Sequence, residues 1–166
     1  MAKKQLTHLD DAGRAKMVDV SAKPVTVREA IAEGFVVMHR DTLLAIAEER
    51  VPKGEVLSVA RVAGVLAAKQ CGNLIPLCHP LPLESIAVEF DLPEFEPDGD
   101  EPVRLGIKAI ARITAKTGVE MEALTAVSLA ALTVYDMCKG IDRGMSIQDI
   151  RLLRKTGGTK NPPPDA

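Results

Sequence analysis

Two glutamates stand one residue apart in the segment Lys116-Thr117-Gly118-Val119-Glu120-Met121-Glu122. Carboxylates that close can share a proton or divide acid and base work, provided that they point the same way. On a helix Glu120 and Glu122 would point about 200° apart, whereas on extended backbone both face one side. The strand pattern before them and Gly118 favour extension. The alternative is a pair of helix-start acids that complement the helix macrodipole.

A second pair, Asp136 and Lys139, is three residues apart near the end of a helical pattern and so shares a face. It is either an acid/base centre or a surface ion pair worth well under ~1 kcal/mol. Asp136 lies fourteen residues beyond Glu122, about 21 Å of helix at ~1.5 Å per residue. One subunit cannot easily bring both ends to one small substrate. If both pairs serve one reaction, the expected site is shared between subunits of a symmetric oligomer.

His79 follows Cys78 in Pro76-Leu77-Cys78-His79-Pro80. A lone histidine in an apolar loop can be purely structural, and a Cys78 nucleophile would need a base within reach, which adjacency does not supply. The other histidines are His8 and His39, and no ligand spacing repeats, so no metal site is expected. Lys53, Lys69, Arg28, Lys116, Lys139 and Lys155 are scattered cations. Singly they read as solvated charges; together they can hold a polyanion, phosphates above all. There is no Walker-type loop and no Rossmann glycine fingerprint.

The elements that must position these groups follow from periodicity. Thr26-Val27-Arg28-Glu29 has the Ser/Thr-x-x-Glu form of a capping box and predicts a short helix ended by Gly34. Phe35–Met38 reads as a buried strand, and Asp41 as the cap of a helix carrying Leu43, Leu44 and Ile46. A longer helix is expected from Glu55 to Lys69, stopped by Gly72-Asn73, with Gly64 kept inside it for close backbone approach. Leu74–Leu83 holds three prolines and reads as a rigid loop carrying Cys78 and His79. Ile86, Val88 and Phe90 alternate as a strand, the acidic 93–102 segment connects, and residues 103–114 alternate most clearly of all. Ala123–Lys139 is the long helix. Met145–Ile150 reads as a turn or short helix, and Arg151–Lys155 as a last strand.

From Phe35 onward the order is β, α, α, β, β, α, β. Counting the adjacent helices as one crossover gives an α+β, ferredoxin-like sandwich, its sheet largely antiparallel with helices packed on one face. The 166 residues suit a single domain, residues 26–156, after an N-terminal arm, 1–25, and before a flexible tail, 157–166. A hydrophobic content of 46% with no Trp implies an aliphatic, Ala-rich core. The net charge of -2 argues against nucleic-acid binding, so an anion site must be local. Three cysteines without a Cys-x-x-Cys pair suggest free thiols in a reducing cytoplasm. No apolar run approaches the ~20 residues of a membrane span.

These segments also resemble a known family. LTHLD at 6–10, MVDVSAK at 17–23, TVREA at 26–30, KGEV at 53–56, LIPLCHPL at 74–81, KTGVEMEALTA at 116–126, ALTVYDMCK at 131–139 and RLLRKTGG at 151–158 are similar to the cyclic pyranopterin monophosphate synthases, the molybdenum cofactor biosynthesis protein C family. The resemblance implies a phosphorus-oxygen lyase. It would convert 3′,8-cyclo-7,8-dihydroguanosine triphosphate, the cyclic guanosine triphosphate intermediate, to cyclic pyranopterin monophosphate and diphosphate. It implies a homohexamer, a trimer of dimers with the site at a dimer interface. Carried over, Asp136, Lys53, Lys139 and Lys155 are catalytic. Leu77, Cys78, His79, Glu120, Met121, Glu122 and Arg28 bind substrate. No cofactor is firmly implied, though Mg²⁺ can accompany the triphosphate. Asp136 with a neighbouring lysine is the expected acid/base centre, Lys139 or Lys155 working at lowered pKa. The rival expectation is a non-catalytic ferredoxin-like module that binds a nucleotide or pterin.

Overall fold

The computed structural model describes residues 12–94 and 101–158. Seven elements follow in order: β1 (Thr26–Met38), α1 (Arg40–Ala47), α2 (Val56–Leu74), β2 (Ser85–Asp91), β3 (Val103–Ala115), α3 (Glu120–Cys138) and β4 (Ser146–Thr156). The strands form one sheet in the order β2-β3-β1-β4, and every neighbouring pair is antiparallel. With α2 and α3 packed together over one face, this is the ferredoxin-like α+β sandwich that the order of elements implied.

The small residues decide how close the layers come. In the middle of the sheet Ala30 faces Ala111 and Ala32 faces Ala109, all fully buried. Over them lies α3, whose Ala123, Ala126, Val127, Ala130, Ala131 and Val134 are also fully buried. The α2–α3 contact closes at Gly64, where a Cβ would stand 2.9 Å from the Ala126 carbonyl oxygen. The expected reason for that glycine therefore holds.

The other face of the sheet is mixed, with ion pairs among apolar side chains such as Val27 and Ile31. Glu29 on β1 pairs with Arg112 on β3 and Arg154 on β4, and Glu33 pairs with Arg151. Between the two central strands, Arg104 of β3 lies 4.0 Å over the Phe35 ring of β1, a cation–π contact.

Three expectations are corrected. Thr26–Glu29 starts no helix; it is the beginning of β1, which pairs with β3 without a break from Thr26↔Ala115 to Met38↔Val103. The capping-box signal is local, while the alternation Ala30, Ala32, Gly34, Val36, Met38 continues through Gly34 and wins by burying one whole face. Met145–Ile150 is no helix either, because β4 begins at Ser146 and pairs with Val37. Its alternation is broken by two register shifts and by Asp149 at φ 53, which hid the strand. Finally, α2 runs through Gly72-Asn73 to Leu74. Gly72 serves close approach instead, since a Cβ there would meet the Pro80 Cα at 2.7 Å. That approach lays the 75–84 loop against the end of α2.

Asp41 sits in the first turn of α1, but His39 is the N-cap. The capping acceptor comes from afar. Asp142, buried just past α3, accepts from the His39 N–H at 2.8 Å and the Thr42 hydroxyl at 3.2 Å. The acidic 93–102 connection and the tail lie mostly outside the described residues, as does the LTHLD segment.

Candidate active site

A cavity of about 890 Å³ opens at the end of the sheet where α3 begins. The rigid loop supplies Leu77, Cys78 and His79, and the β3–α3 junction supplies Lys116, Thr117 and Gly118. The first turn of α3 adds Glu120, Met121 and Glu122. Arg28 comes from β1, Lys155 from β4, and the arm before β1 closes the side with Val18, Asp19 and Lys23. Eight of the eleven residues expected at the site thus share one cavity: Leu77, Cys78, His79, Glu120, Met121, Glu122, Arg28 and Lys155.

Glu120 and Glu122 are helical, not extended as Gly118 had suggested. Both nevertheless reach the cavity, because the helix end itself forms its wall, and their surroundings differ. Glu120 accepts from Lys155 at 2.7 Å. Glu122 is only 3% exposed. Burial, aided by the neighbouring Glu120 charge, pushes its carboxyl above the usual range, against hydrogen bonds from its own amide and Cys71. Two carboxylates in one site, one neutralised by an ammonium and one held toward its acid form, suit divided proton-transfer roles.

His79 Nε2 lies 2.9 Å from the Val18 carbonyl oxygen. A carbonyl only accepts, so Nε2 carries the proton and Nδ1 is left for the cavity. Lys116 donates to the Ser21 carbonyl at 2.6 Å, so two cavity side chains clasp the arm. The arm's Asp19 and Lys23 were not singled out in the sequence; charged residues just before Pro24 and a strand were the available signal. Arg28 is 7% exposed and donates to the carbonyls of Ala115 and Lys116. Gly157 and Gly158, at φ +86 and +85, pass directly over it; a Cβ at Gly158 would collide with the guanidinium. Burial also pushes the Cys78 thiol up, with Glu122 adding to it. At neutral pH Cys78 is a thiol, a poor nucleophile.

Lys53, Asp136 and Lys139 stand elsewhere, at the far end of α3. Asp136 is bridged between Lys53 Nζ at 2.9 Å and Lys139 Nζ at 2.6 Å. Hydrogen bonds from Lys139 first, then Lys53, hold its carboxyl at about 2. The same contact with Asp136 raises the Lys139 ammonium above its ordinary value. Lys139 therefore does not work at lowered pKa as expected: an adjacent carboxylate favours its charged form. Sixteen residues separate Glu120 from Asp136, about 24 Å of helix, so one chain does not unite the two clusters.

Among the described residues no group of three or more His, Cys, Asp or Glu side chains could hold a metal ion. The one described helix long and apolar enough to cross a membrane is α3, and its apolar face is the core just described.

Fold and cavity together define a ferredoxin-like domain with a mixed-charge pocket of nucleotide size, lined by lysines and an arginine and by the carboxyl residues Asp19, Glu29, Glu120 and Glu122. The model of the MoaC family matches residues 17–158, and the chain belongs to that family. It is similar to a cyclic pyranopterin monophosphate synthase of Chloroflexus aggregans, 58% identical over 93% of this chain and 90% of the relative. A protein of the same name from Heliobacterium modesticaldum is 54% identical over 92% of both chains. Cyclic pyranopterin monophosphate synthase 3 of Mycobacterium bovis is 56% identical over 92% of this chain and 82% of that one.

Proposed function

We propose that this protein is a cyclic pyranopterin monophosphate synthase, an enzyme of molybdenum cofactor biosynthesis. As a phosphorus-oxygen lyase it converts 3′,8-cyclo-7,8-dihydroguanosine triphosphate to cyclic pyranopterin monophosphate and diphosphate. The observation that carries the reading is the convergence of LIPLCHPL and KTGVEMEALTA on one cavity with Arg28 and Lys155. The triphosphate lies against Arg28, Lys116 and Lys155, whose charges neutralise it and stabilise the departing diphosphate. The guanine-derived ring lies against Leu77, Met121 and the Glu122 carboxyl. His79 and the two glutamates move protons during ring opening and closure.

Asp136 is the acid/base centre, flanked by Lys53 and Lys139. Because these three stand at the opposite end of α3, a second copy of the chain brings them to the cavity. This supports the site at a dimer interface within a trimer of dimers. A magnesium ion that accompanies the substrate finds its ligands on the triphosphate, and no step here depends on it. Residues 26–156 form the catalytic domain, between the 1–25 arm and the 157–166 tail. Three free cysteines support the cytoplasm as its compartment.

The test is diphosphate release and pterin formation from the cyclic triphosphate by wild type and Lys53→Ala. Turnover by wild type, lost in the variant, is the expected result. Tight binding without turnover by wild type would instead assign a ligand-binding module.

A further inference from the structure

The arm before β1 meets the cavity through its backbone. His79 Nε2 donates to the Val18 carbonyl at 2.9 Å, and Lys116 Nζ donates to the Ser21 carbonyl at 2.6 Å. Both acceptors are main-chain oxygens, so the shape of the arm decides where they stand. That shape is made locally. Asp19 Oδ1 accepts from the Ser21 N–H at 2.8 Å, which closes an Asx-turn. The Lys23 N–H then donates to the Val20 carbonyl at 3.0 Å and closes a β-turn before Pro24. The Val18 and Ser21 carbonyls bracket the turn that Asp19 closes.

The other side of this clasp is fixed. The loop that carries His79 holds Pro76, Pro80 and Pro82. It lies against α2 at Gly72, where a Cβ would meet the Pro80 Cα at 2.7 Å. The loop therefore sets the His79 backbone, but the imidazole can still turn about its side-chain bonds. Among the described residues, the charged groups of the cavity are engaged elsewhere. Glu120 is held by Lys155, Arg28 donates to the carbonyls of Ala115 and Lys116, and Lys116 donates to Ser21. The Val18 carbonyl is what orients the ring.

We propose that Asp19 is a positioning residue for His79: the turn it closes holds the Val18 carbonyl on Nε2, which keeps the ring proton there and leaves Nδ1 as the proton acceptor toward the cavity. Asp19 acts here through the arm backbone and not on the substrate. Its effect on turnover rests on the synthase reading; its effect on the imidazole does not.

The experiment is proton NMR of ¹⁵N-labelled, substrate-free protein at about pH 8, where an unperturbed imidazole is mostly neutral. A ring N–H held on a carbonyl exchanges slowly with water, and the His79 signal is assigned by its loss in His79→Gln. Wild type should show the Nε2–H signal. Asp19→Ala should lose it or speed its exchange about tenfold or more, the loss of roughly one hydrogen bond. Asp19→Asn should keep it, because an amide oxygen closes the same turn without the charge. No signal in wild type, an unchanged signal in Asp19→Ala, or its loss in both variants overturns the assignment. In turnover, kcat should fall about ten- to a hundredfold in Asp19→Ala through misplacement of His79 and return in Asp19→Asn. A kcat that ignores the loss of the signal also overturns it. The Ala–Asn difference seen in the signal of a protein whose wild type has no synthase turnover would overturn the proposed function and leave the positioning of His79 standing.

Discussion

Asp136 holds its carboxylate between two ammonium groups on open surface, where ion pairs add little to folding. A fold-neutral cluster of this kind is removable without unfolding, and that makes its chemistry testable. Asp136→Asn should abolish diphosphate release while the melting temperature stays within about 2 °C of wild type. The Asp136 carboxyl should titrate near 2, as its two lysines dictate, and move toward 3.8 in Lys139→Met as that hydrogen bond and charge are lost; an NMR titration reads both. Glu122 behaves oppositely. Its folded pKa lies above the unfolded value, so the native state holds the extra proton between them. Its contribution is therefore intact below the unfolded pKa and is lost as pH rises through the folded one. Glu122→Gln should match wild-type stability at acid pH and exceed it progressively above, as urea unfolding across pH will measure.

At the scale of elements, tight seams do the positioning. The α2–α3 contact at Gly64 has no room for a side chain. Gly64→Val should cost about 1–3 kcal/mol by overpacking, read as a lower urea midpoint. Gly158 lets the chain after β4 cross the Arg28 guanidinium at a positive φ. Gly158→Ala should displace Arg28 and weaken binding of the triphosphate by about tenfold, roughly one charge-assisted hydrogen bond, in calorimetry against the substrate. The α1 cap is borrowed from sequence far away. Burial acts to raise the Asp142 carboxyl, but donors from His39, Gly144 and Thr42 hold it below its ordinary value. Asp142→Ala leaves these donors, of which Thr42 is buried, without their acceptor and should cost about 1–2 kcal/mol.

For the whole molecule, the governing fact is the length of α3. It sets the glutamates and the lysine-flanked Asp136 at opposite ends of a nineteen-residue helix. If a partner copy completes each site, Asp136→Asn and Lys155→Ala variants, each inactive alone, should complement when unfolded and refolded together. Random pairing in dimers recovers about a quarter of wild-type turnover, because one of the two sites in each mixed dimer is intact. No recovery would overturn the shared site.

The sequence by itself determined the order of elements from Phe35 onward, the alternation of β3, the rigid proline loop, the small-residue seam at Gly64 and the gap between Glu122 and Asp136. Each of these is a local or periodic property that burial on one face enforces. Its motifs also pointed to the family and to residues that meet in the cavity. Only the tertiary structure decided that Thr26–Glu29 is strand, because a continuous pairing with β3 outweighs one capping-box signal. It alone decided the charge states: Glu120 and Glu122 differ through Lys155 and burial, and Asp136 is set by Lys139 three residues on together with Lys53, eighty-three residues away. Proton affinity depends on which charges and donors lie within a few ångströms in space, and chain spacing does not encode that.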